Sequence, residues 1–460
     1  MTRSAVVVGG GIAGLAAAFE FQRAGWAVTV HEAGDRWGGK IHTSPVGDRP
    51  VDAGPDAFLA RVDHGYDLCR ELGLDGELTS PVAPVPAYVH LNGKLHELPE
   101  ATMLGVPTDL DLLKRSTLVS PAGIERATDD LTLSPTSLDP DPSVGEVCRQ
   151  RLGDELTDRL IDPLIGAINA SDIDRLSINA AAPQLAAALR SHGSLITGMA
   201  ALRQAGAAAL GSRDKAKPVF YGLPGGVARI IDGLVEELAG AASNPADLRL
   251  NSPVDDLDRF TRADADAVIL AVPAFVAGKL LSGAPSEAHH RSAELLSEID
   301  YADVAQVVVE LPVEGLDRVL DASGILFPRV SGMMMTACTW LSTKWQHYRR
   351  DESVLIRMST GRFGDTRHAA LDDGELTGVL LAELGSVIGF ERPPVATRVV
   401  RWNRAFPQYT PGHKDRLSEL RSTLGTADPR IALVGAPYDG IGVPACIAAG
   451  RTAARNWIDS

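Results

Sequence analysis

Ala5-Val6-Val7-Val8-Gly9-Gly10-Gly11-Ile12-Ala13-Gly14 is the stretch whose reading decides the fold. Its first four residues form a short apolar run, as expected of a strand buried on both faces of a parallel sheet. The glycines that follow keep the spacing Gly9-x-Gly11-x-x-Gly14. Gly9 permits a tight turn, Gly11 lets a pyrophosphate approach the backbone, and Gly14 lets helix and strand pack closely. The spacing predicts a helix over 13–24, with Leu15, Ala18 and Phe19 on one face and Gly25 as its stop. A second strand, Ala27 to His31, ends at Glu32, eighteen residues beyond Gly14. An acidic residue at about that distance accepts hydrogen bonds from a ribose. Strand, helix, strand and acid in register predict a βαβ dinucleotide-binding unit, with Ile12 and Ala13 opening the helix whose N-terminus faces the phosphates.

The segment after Glu32 narrows the cofactor. Glu32-Ala33-Gly34-Asp35-Arg36-Trp37-Gly38-Gly39-Lys40 is similar to the extended signature of FAD-binding proteins. Its glycines allow close approach to a diphosphate, and Arg36 or Lys40 can offset the charge. Gly54-Pro55, inside Val51 to Ala57, is a rigid turn. At the other end of the chain, Ile431 to Ala436 reads as a buried strand and Pro437 to Pro444 as a Gly/Pro-rich loop. A helix over 445–456 follows, whose N-terminus can aim N–H groups at the flavin pyrimidine oxygens.

The whole chain has 460 residues, 45% hydrophobic and 22% charged, with a formal net charge of −15. This composition belongs to a packed globular protein. The acidic balance argues against nucleic-acid binding and against a polybasic membrane anchor. The run from Ala5 to Phe19 is too short and glycine-rich for a bilayer span, so no transmembrane segment is expected. Cys69, Cys148, Cys338 and Cys446 are far apart and form no CxxC pair, which points to a reduced, cytoplasmic setting. No HExxH, His/Cys cluster or Gly-x-Ser-x-Gly occurs, so metal and serine-hydrolase chemistry lack support.

Between these ends the chain changes character. Ser143-x-x-Glu146 reads as a capping box for a helix that Pro163 ends. Residues 178–210 are Ala/Leu-rich and helical. The face Val227, Ile230, Ile231, Leu234, Leu238 marks a further helix, and strands are expected around 249–254 and 266–273. The β runs Val304 to Leu311, Thr336 to Leu341 and Val354 to Met358 form a second sheet. The expected fold class is α/β plus α+β: a Rossmann-type FAD-binding domain interleaved with a mixed-sheet substrate domain and a helical subdomain. Its boundaries are 1–84 (FAD, first part), 85–215 (helical), 216–298 (FAD, second part, with substrate-domain segments), 299–396 (substrate sheet) and 397–460 (FAD, third part).

Taken together, the chain resembles the protoporphyrinogen/coproporphyrinogen oxidase family within the flavin-containing amine-oxidase superfamily. The resemblance rests on Gly9 to Lys40, Asp52 to Asp56, Leu98-Pro99 through Gly105-Val106-Pro107, Pro163-Leu164-Ile165-Gly166, Trp402 with Phe406-Pro407-Gln408-Tyr409, and Val434 to Cys446. It implies FAD contacts at Gly9, Gly11, Ile12, Ala13, Gly14, Glu32, Ala33, Lys40, Gly54, Pro55, Asp56, Ala57, Val254, Trp402, Ala436, Ile441, Gly442 and Val443. It places Gly166, Leu326 and Met358 around a tetrapyrrole. It implies oxidation of coproporphyrinogen III to coproporphyrin III in heme biosynthesis, by hydride transfer to flavin N5 with O₂ reduced to H₂O₂. No catalytic side chain is assigned. Protoporphyrinogen enzymes often carry an arginine in the Leu-Pro-x-x-x-x-Gly region, and Leu98 to Gly105 has no basic residue. That favours the coproporphyrinogen branch, with transient contact to the next heme-pathway enzyme. Protoporphyrinogen oxidation, amine or polyene oxidation on the same fold, and a flavin-bound carrier without turnover stay open.

Overall fold

The computed structural model describes residues 2–82, 86–211, 218–257 and 265–460, with side chains described outside 207–211. The opening motif forms strand β1 (Ser4–Val8), helix α1 (Ile12–Arg23) and strand β2 (Ala27–His31). Gly25, at φ +83°, closes the helix by donating its N–H to Gln22 O. These elements belong to a five-stranded parallel sheet in the order Asp247–Arg249, β2, β1, Ala267–Leu270, Ile431–Leu433. The chain thus runs to one side of β1, then returns to its other side. Ligands of open α/β sheets bind beyond the carboxyl ends of the strands at such a switch point.

Helix α1 is buried on nearly every side because it lies between the sheet and the helices Ala228–Gly240 and Val443–Ile458. This closeness needs glycine. A Cβ at Gly14 would stand 2.1 Å from Gly9 O, and one at Gly450 would stand 2.1 Å from Ala13 O. The sheet's other face is covered by Ala274–Ser282, Glu287–Ser297 and His413–Ala427 through Leu281, Leu296 and Leu420. Each such fully buried side chain contributes about 1.5–3 kcal/mol.

A seven-stranded mixed sheet runs Ala396–Pro407, Tyr301–Pro312, Ser353–Thr360, Met335–Trp340, Gly324–Leu326, Tyr88–Leu91, Lys94–Glu97. Helix Asp373–Ile388, opened by a capping box of Asp372 and Glu375, covers one face with Leu376, Leu380 and Leu384. Two sequence expectations shift here. Residues 88–97, assigned to the helical part, are strands of this sheet, and so is Ala396–Pro407, most of which was assigned to the FAD part. The expected boundaries at 84/85 and 215/216 lie at or within stretches outside the described residues.

Helices between residues 110 and 211 share a separate apolar core that includes Leu118, Leu152, Leu160 and Leu185. Pro163 does not end a helix: it sits inside the π-helix Thr157–Gly166. No helix among the described residues is long and apolar enough to cross a membrane.

Candidate functional site

The loops leaving the carboxyl ends of the parallel strands meet around Gly11. Gly38 donates its N–H to Gly10 O at 2.8 Å, and a Cβ on Gly39 would lie 3.4 Å from the Gly11 Cα. Gly435, at φ +115°, brings its Cβ position to 3.8 Å from the Ala13 side chain. The two helices that start here, Ile12–Arg23 and Val443–Ile458, pack on each other at Ala13 and Gly450, and neither has a side-chain cap at its N-terminus. Their first N–H groups and dipoles favour an anion. A Cβ at Gly11 would meet no atom within 4 Å, whereas one at Gly14 would collide. The turn is open at Gly11 and closed at Gly14, where helix touches strand. Ile12, Ala13 and Val443 are buried behind it, while Gly39 and Gly442 are exposed along it.

The charged candidates do more local work than the sequence suggested. Glu32 accepts N–H bonds from Gly10 and Gly34, each 2.8 Å, and so holds both glycine-bearing turns. Ala33 is exposed at the bend between them. The chain past Arg249 runs alongside: Ser252 N–H donates to Glu32 O and Asn251 N–H to Gly34 O. That brings Val254 beside this loop, packed with Val272 against the core that contains Leu270. Arg36 donates to the carbonyls of Gly39 (2.7 Å), Trp37 and Ile41, making it a tie within its own loop. Lys40 is exposed as a residue, but its ammonium reaches Ala405 O and is enclosed, and this desolvation lowers its pKa.

Segment 52–57 connects the two sheets. Gly54 admits no side chain, since a Cβ would stand 2.0 Å from Lys40 O. After Pro55, Asp56 turns toward the seven-stranded sheet. It accepts from Lys344 Nζ (2.9 Å), Trp345 Nε1 (3.0 Å) and Arg357 Nη2 (3.1 Å). Burial would raise its pKa, but Arg357 and Lys344 outweigh burial and hold the carboxyl well below the usual range. Asp52 behaves in the opposite way: burial, aided by the charge of Asp56, pushes it up to about 6. Arg398 donates to Ser44 O, Val51 O and Asp52 O, and Trp402 Nε1 donates to Ala53 O at 2.7 Å. Ala57 packs on the core beneath, with Trp345.

Of the three residues expected around a tetrapyrrole, Gly166 ends the π-helix and Leu326 packs on the same cluster as Ile441 and Tyr409. Tyr409 donates its hydroxyl to Ala436 O, which ties the Pro407-Gln408-Tyr409 motif to the loop before the last helix. Met358 is a correction. It is fully buried with Leu376 and Leu380 under helix Asp373–Ile388, so it has no surface to offer a ligand. Strand alternation explains this, because Ile356 and Met358 share that face and Arg357 takes the other. Sequence reasoning missed Arg357, Lys344 and Trp345. One signal was available: Arg357 is a lone charge inside the apolar run Val354 to Met358.

The glycine line, its two uncapped helix N-termini and the carboxylate of Glu32 suit a nucleotide-bearing cofactor. Comparison with known proteins points to a flavin. Residues 12–458 match the model of the flavin containing amine oxidoreductase family. The chain is 33% identical to coproporphyrinogen III oxidase of Bacillus subtilis, over 97% of this chain and 96% of that one. It is 35% identical to coproporphyrinogen III oxidase of Mycobacterium leprae, over 98% and 97%. A crystal structure from Exiguobacterium sp. 255-15, provisionally named protoporphyrinogen oxidase, superposes with a TM-score of 0.85 at 29% identity, covering 100% of this chain and 99% of that one.

Proposed function

The chain belongs to the flavin containing amine oxidoreductase family, and from that premise we propose that it is an FAD-dependent, oxygen-using oxidase that converts coproporphyrinogen III to coproporphyrin III in heme biosynthesis. The observation that carries this reading is the likeness, over nearly the full chain, to proteins named coproporphyrinogen III oxidase. The porphyrinogen loses six hydrogens in three two-electron steps, and three O₂ leave as three H₂O₂. FAD, when bound, supplies the two-electron acceptor.

This chain's own residues bind and orient. Gly9 to Gly14 and the N-terminus of α1 take the diphosphate, and Glu32 takes the ribose while holding the turns on either side. The N-terminus of helix Val443–Ile458 favours negative charge on the flavin ring. Gly166 and Leu326 flank the tetrapyrrole, whose apolar ring body suits a pocket that orients rather than one that titrates. Four free, buried cysteines support a cytoplasmic location. Transient contact with the enzyme that consumes the porphyrin belongs to the same reading.

The test is incubation of the FAD-loaded protein with coproporphyrinogen III under air, following porphyrin fluorescence and peroxide. Fluorescence gained three equivalents of O₂ at a time supports the reading. No gain over an enzyme-free control ends it, and turnover of a benzylamine or polyamine would put amine oxidation in its place.

A further inference from the structure

The π-helix that ends at Gly166 carries Asp162 one turn earlier, and two arginines from distant segments meet there. Arg329 lies just past strand Gly324–Leu326. Its backbone N–H donates to Asp162 Oδ2 at 3.4 Å, its Nη2 to Ser171 O at 3.4 Å, and its Nη1 stands 2.9 Å from Asp172. Arg362 lies just past strand Ser353–Thr360. Its Nη2 donates to Phe327 O at 3.4 Å and its Nη1 stands 3.7 Å from Asp162 Oδ2. The same groups border Gly166, where a Cβ would lie 3.1 Å from Asp162 Oδ1 and 3.3 Å from Ser171 O.

The pairing of Arg362 is loose for a buried cation. It is 7% exposed, yet both of its polar contacts are longer than the 2.7–2.9 Å usual for a charge-assisted bond. Arg151 shows what a structural arginine looks like in this fold. It is 0% exposed and donates to Asp130 Oδ1 at 2.5 Å, Asp130 O at 2.5 Å, Ser134 O at 2.8 Å and Gly193 O at 2.7 Å. A buried charge is held best by close partners, and those of Arg362 stand at 3.4 and 3.7 Å. Asp162 is itself a weak counter-ion, because burial raises its pKa against the pull of Arg329 and Arg362. The other contact of this π-helix is also telling. At Leu160 it packs against Gly105, the end of the Leu98–Gly105 region that holds no cation.

We propose that Arg362 and Arg329 form a carboxylate-binding subsite beside Gly166 for a propionate that coproporphyrinogen carries and protoporphyrinogen replaces with a vinyl group. The proposal rests on the porphyrinogen reading above and assigns its substrate selectivity to these two side chains. In a chain of net charge −15 the substrate carboxylate would compete with Asp162 and Asp172 for these two cations.

The test uses the FAD-loaded protein and the variants Arg362→Gln and Arg329→Gln, with both porphyrinogens as substrates and both porphyrins as ligands. The subsite predicts that KM for coproporphyrinogen rises about tenfold or more in each variant with kcat little changed. It predicts that kcat/KM for protoporphyrinogen stays within about twofold of wild type. Arg329 is 43% exposed in its side chain, so its variant folds even if loss of the buried Arg362 does not allow folding. Asp162→Asn removes the competing carboxylate and should tighten coproporphyrin binding, read by fluorescence quenching. Equal losses on both substrates, a fall in kcat alone, or no change in selectivity overturns the subsite. A wild-type protein that neither oxidises nor binds any tetrapyrrole overturns the porphyrinogen reading instead.

Discussion

The two sheets build their halves of the site from different materials. At the edge of the five-stranded sheet the working parts are backbone: Gly9, Gly11, Gly39 and Gly442, with helix N–H groups behind them. The carboxylate of Glu32 serves that backbone by holding Gly10 and Gly34. On the seven-stranded sheet the working parts are side-chain charges. Arg357 and Lys344 grip Asp56, while Arg398 grips the carbonyls of 44, 51 and 52. The difference follows from what each half meets. A diphosphate is matched by fixed dipoles at short range, whereas joining two sheets across a polar gap needs long, flexible cations.

The sharpest way to break this contrast is by glycine substitution. Gly14→Val and Gly450→Val place atoms about 2 Å from backbone oxygens and should leave no folded protein, judged by expression and far-UV circular dichroism. Gly11→Val meets open space. It should fold with an unchanged dichroism spectrum but purify colourless, and a yellow, fully occupied variant would refute the cradle.

The next effect belongs to the charged half. Asp56→Ala leaves Lys344 and Arg357 facing each other without their anion, at an expected cost of about 3–5 kcal/mol in chemical denaturation. Because the folded carboxyl sits below its unfolded value, the stability it contributes is present at neutral pH and is lost as pH falls through the acid range. A loss under about 1 kcal/mol would mean the clamp is decorative.

Asp52, two turns of the same argument away, has the reverse sign. Its folded pKa of about 6 lies above the ordinary 3.8. The protonated form is favoured in the fold, so the contribution is present below pH 4 and becomes a penalty as pH rises through 6. Asp52→Asn should therefore raise the melting temperature at pH 8, by about 1–3 kcal/mol of stability, and do little at pH 4. A destabilised variant at pH 8 would show that the ionised carboxylate is required by Val227 N–H and Thr43. Smallest of all, Tyr409→Phe removes one hydroxyl bond to Ala436 O, worth about 0.5–1.5 kcal/mol. Titration of the apoprotein with FAD should show weaker binding by about tenfold or less, and an unchanged affinity would disconnect the Pro-Gln-Tyr motif from the flavin loop.

The same contrast explains what could be read in advance. Strand, glycine turn, helix and Glu32 lie within about thirty consecutive residues, so local spacing fixes their geometry. The strands over 301–312, 335–340 and 353–360 were also legible, from apolar β-branched runs. Less legible were the strands at 88–91 and 94–97, whose Tyr-Val-His-Leu and Lys-Leu-His-Glu are short and mixed; they form a hairpin that joins the sheet through pairing of Tyr88–Leu91 with Gly324–Leu326. Pro163 misled because the usual rule assumes an α-helix, and the chain uses a wider turn. Met358 misled because a one-residue step along a strand exchanges faces.

By itself, then, the sequence determined the family, the flavin cofactor and the half of the site made of backbone, because glycine spacing and helix starts are short-range instructions. The tertiary structure decided where the charges point. Asp56 and Arg357 are 301 positions apart, and nothing local tells an arginine in an apolar strand which carboxylate it will meet. Arg362 and Arg329 follow two separate strands and meet at Asp162 of the π-helix only in the folded chain. Long-range electrostatics depends on distance in space and on burial, and both exist only after the sheets have folded against each other.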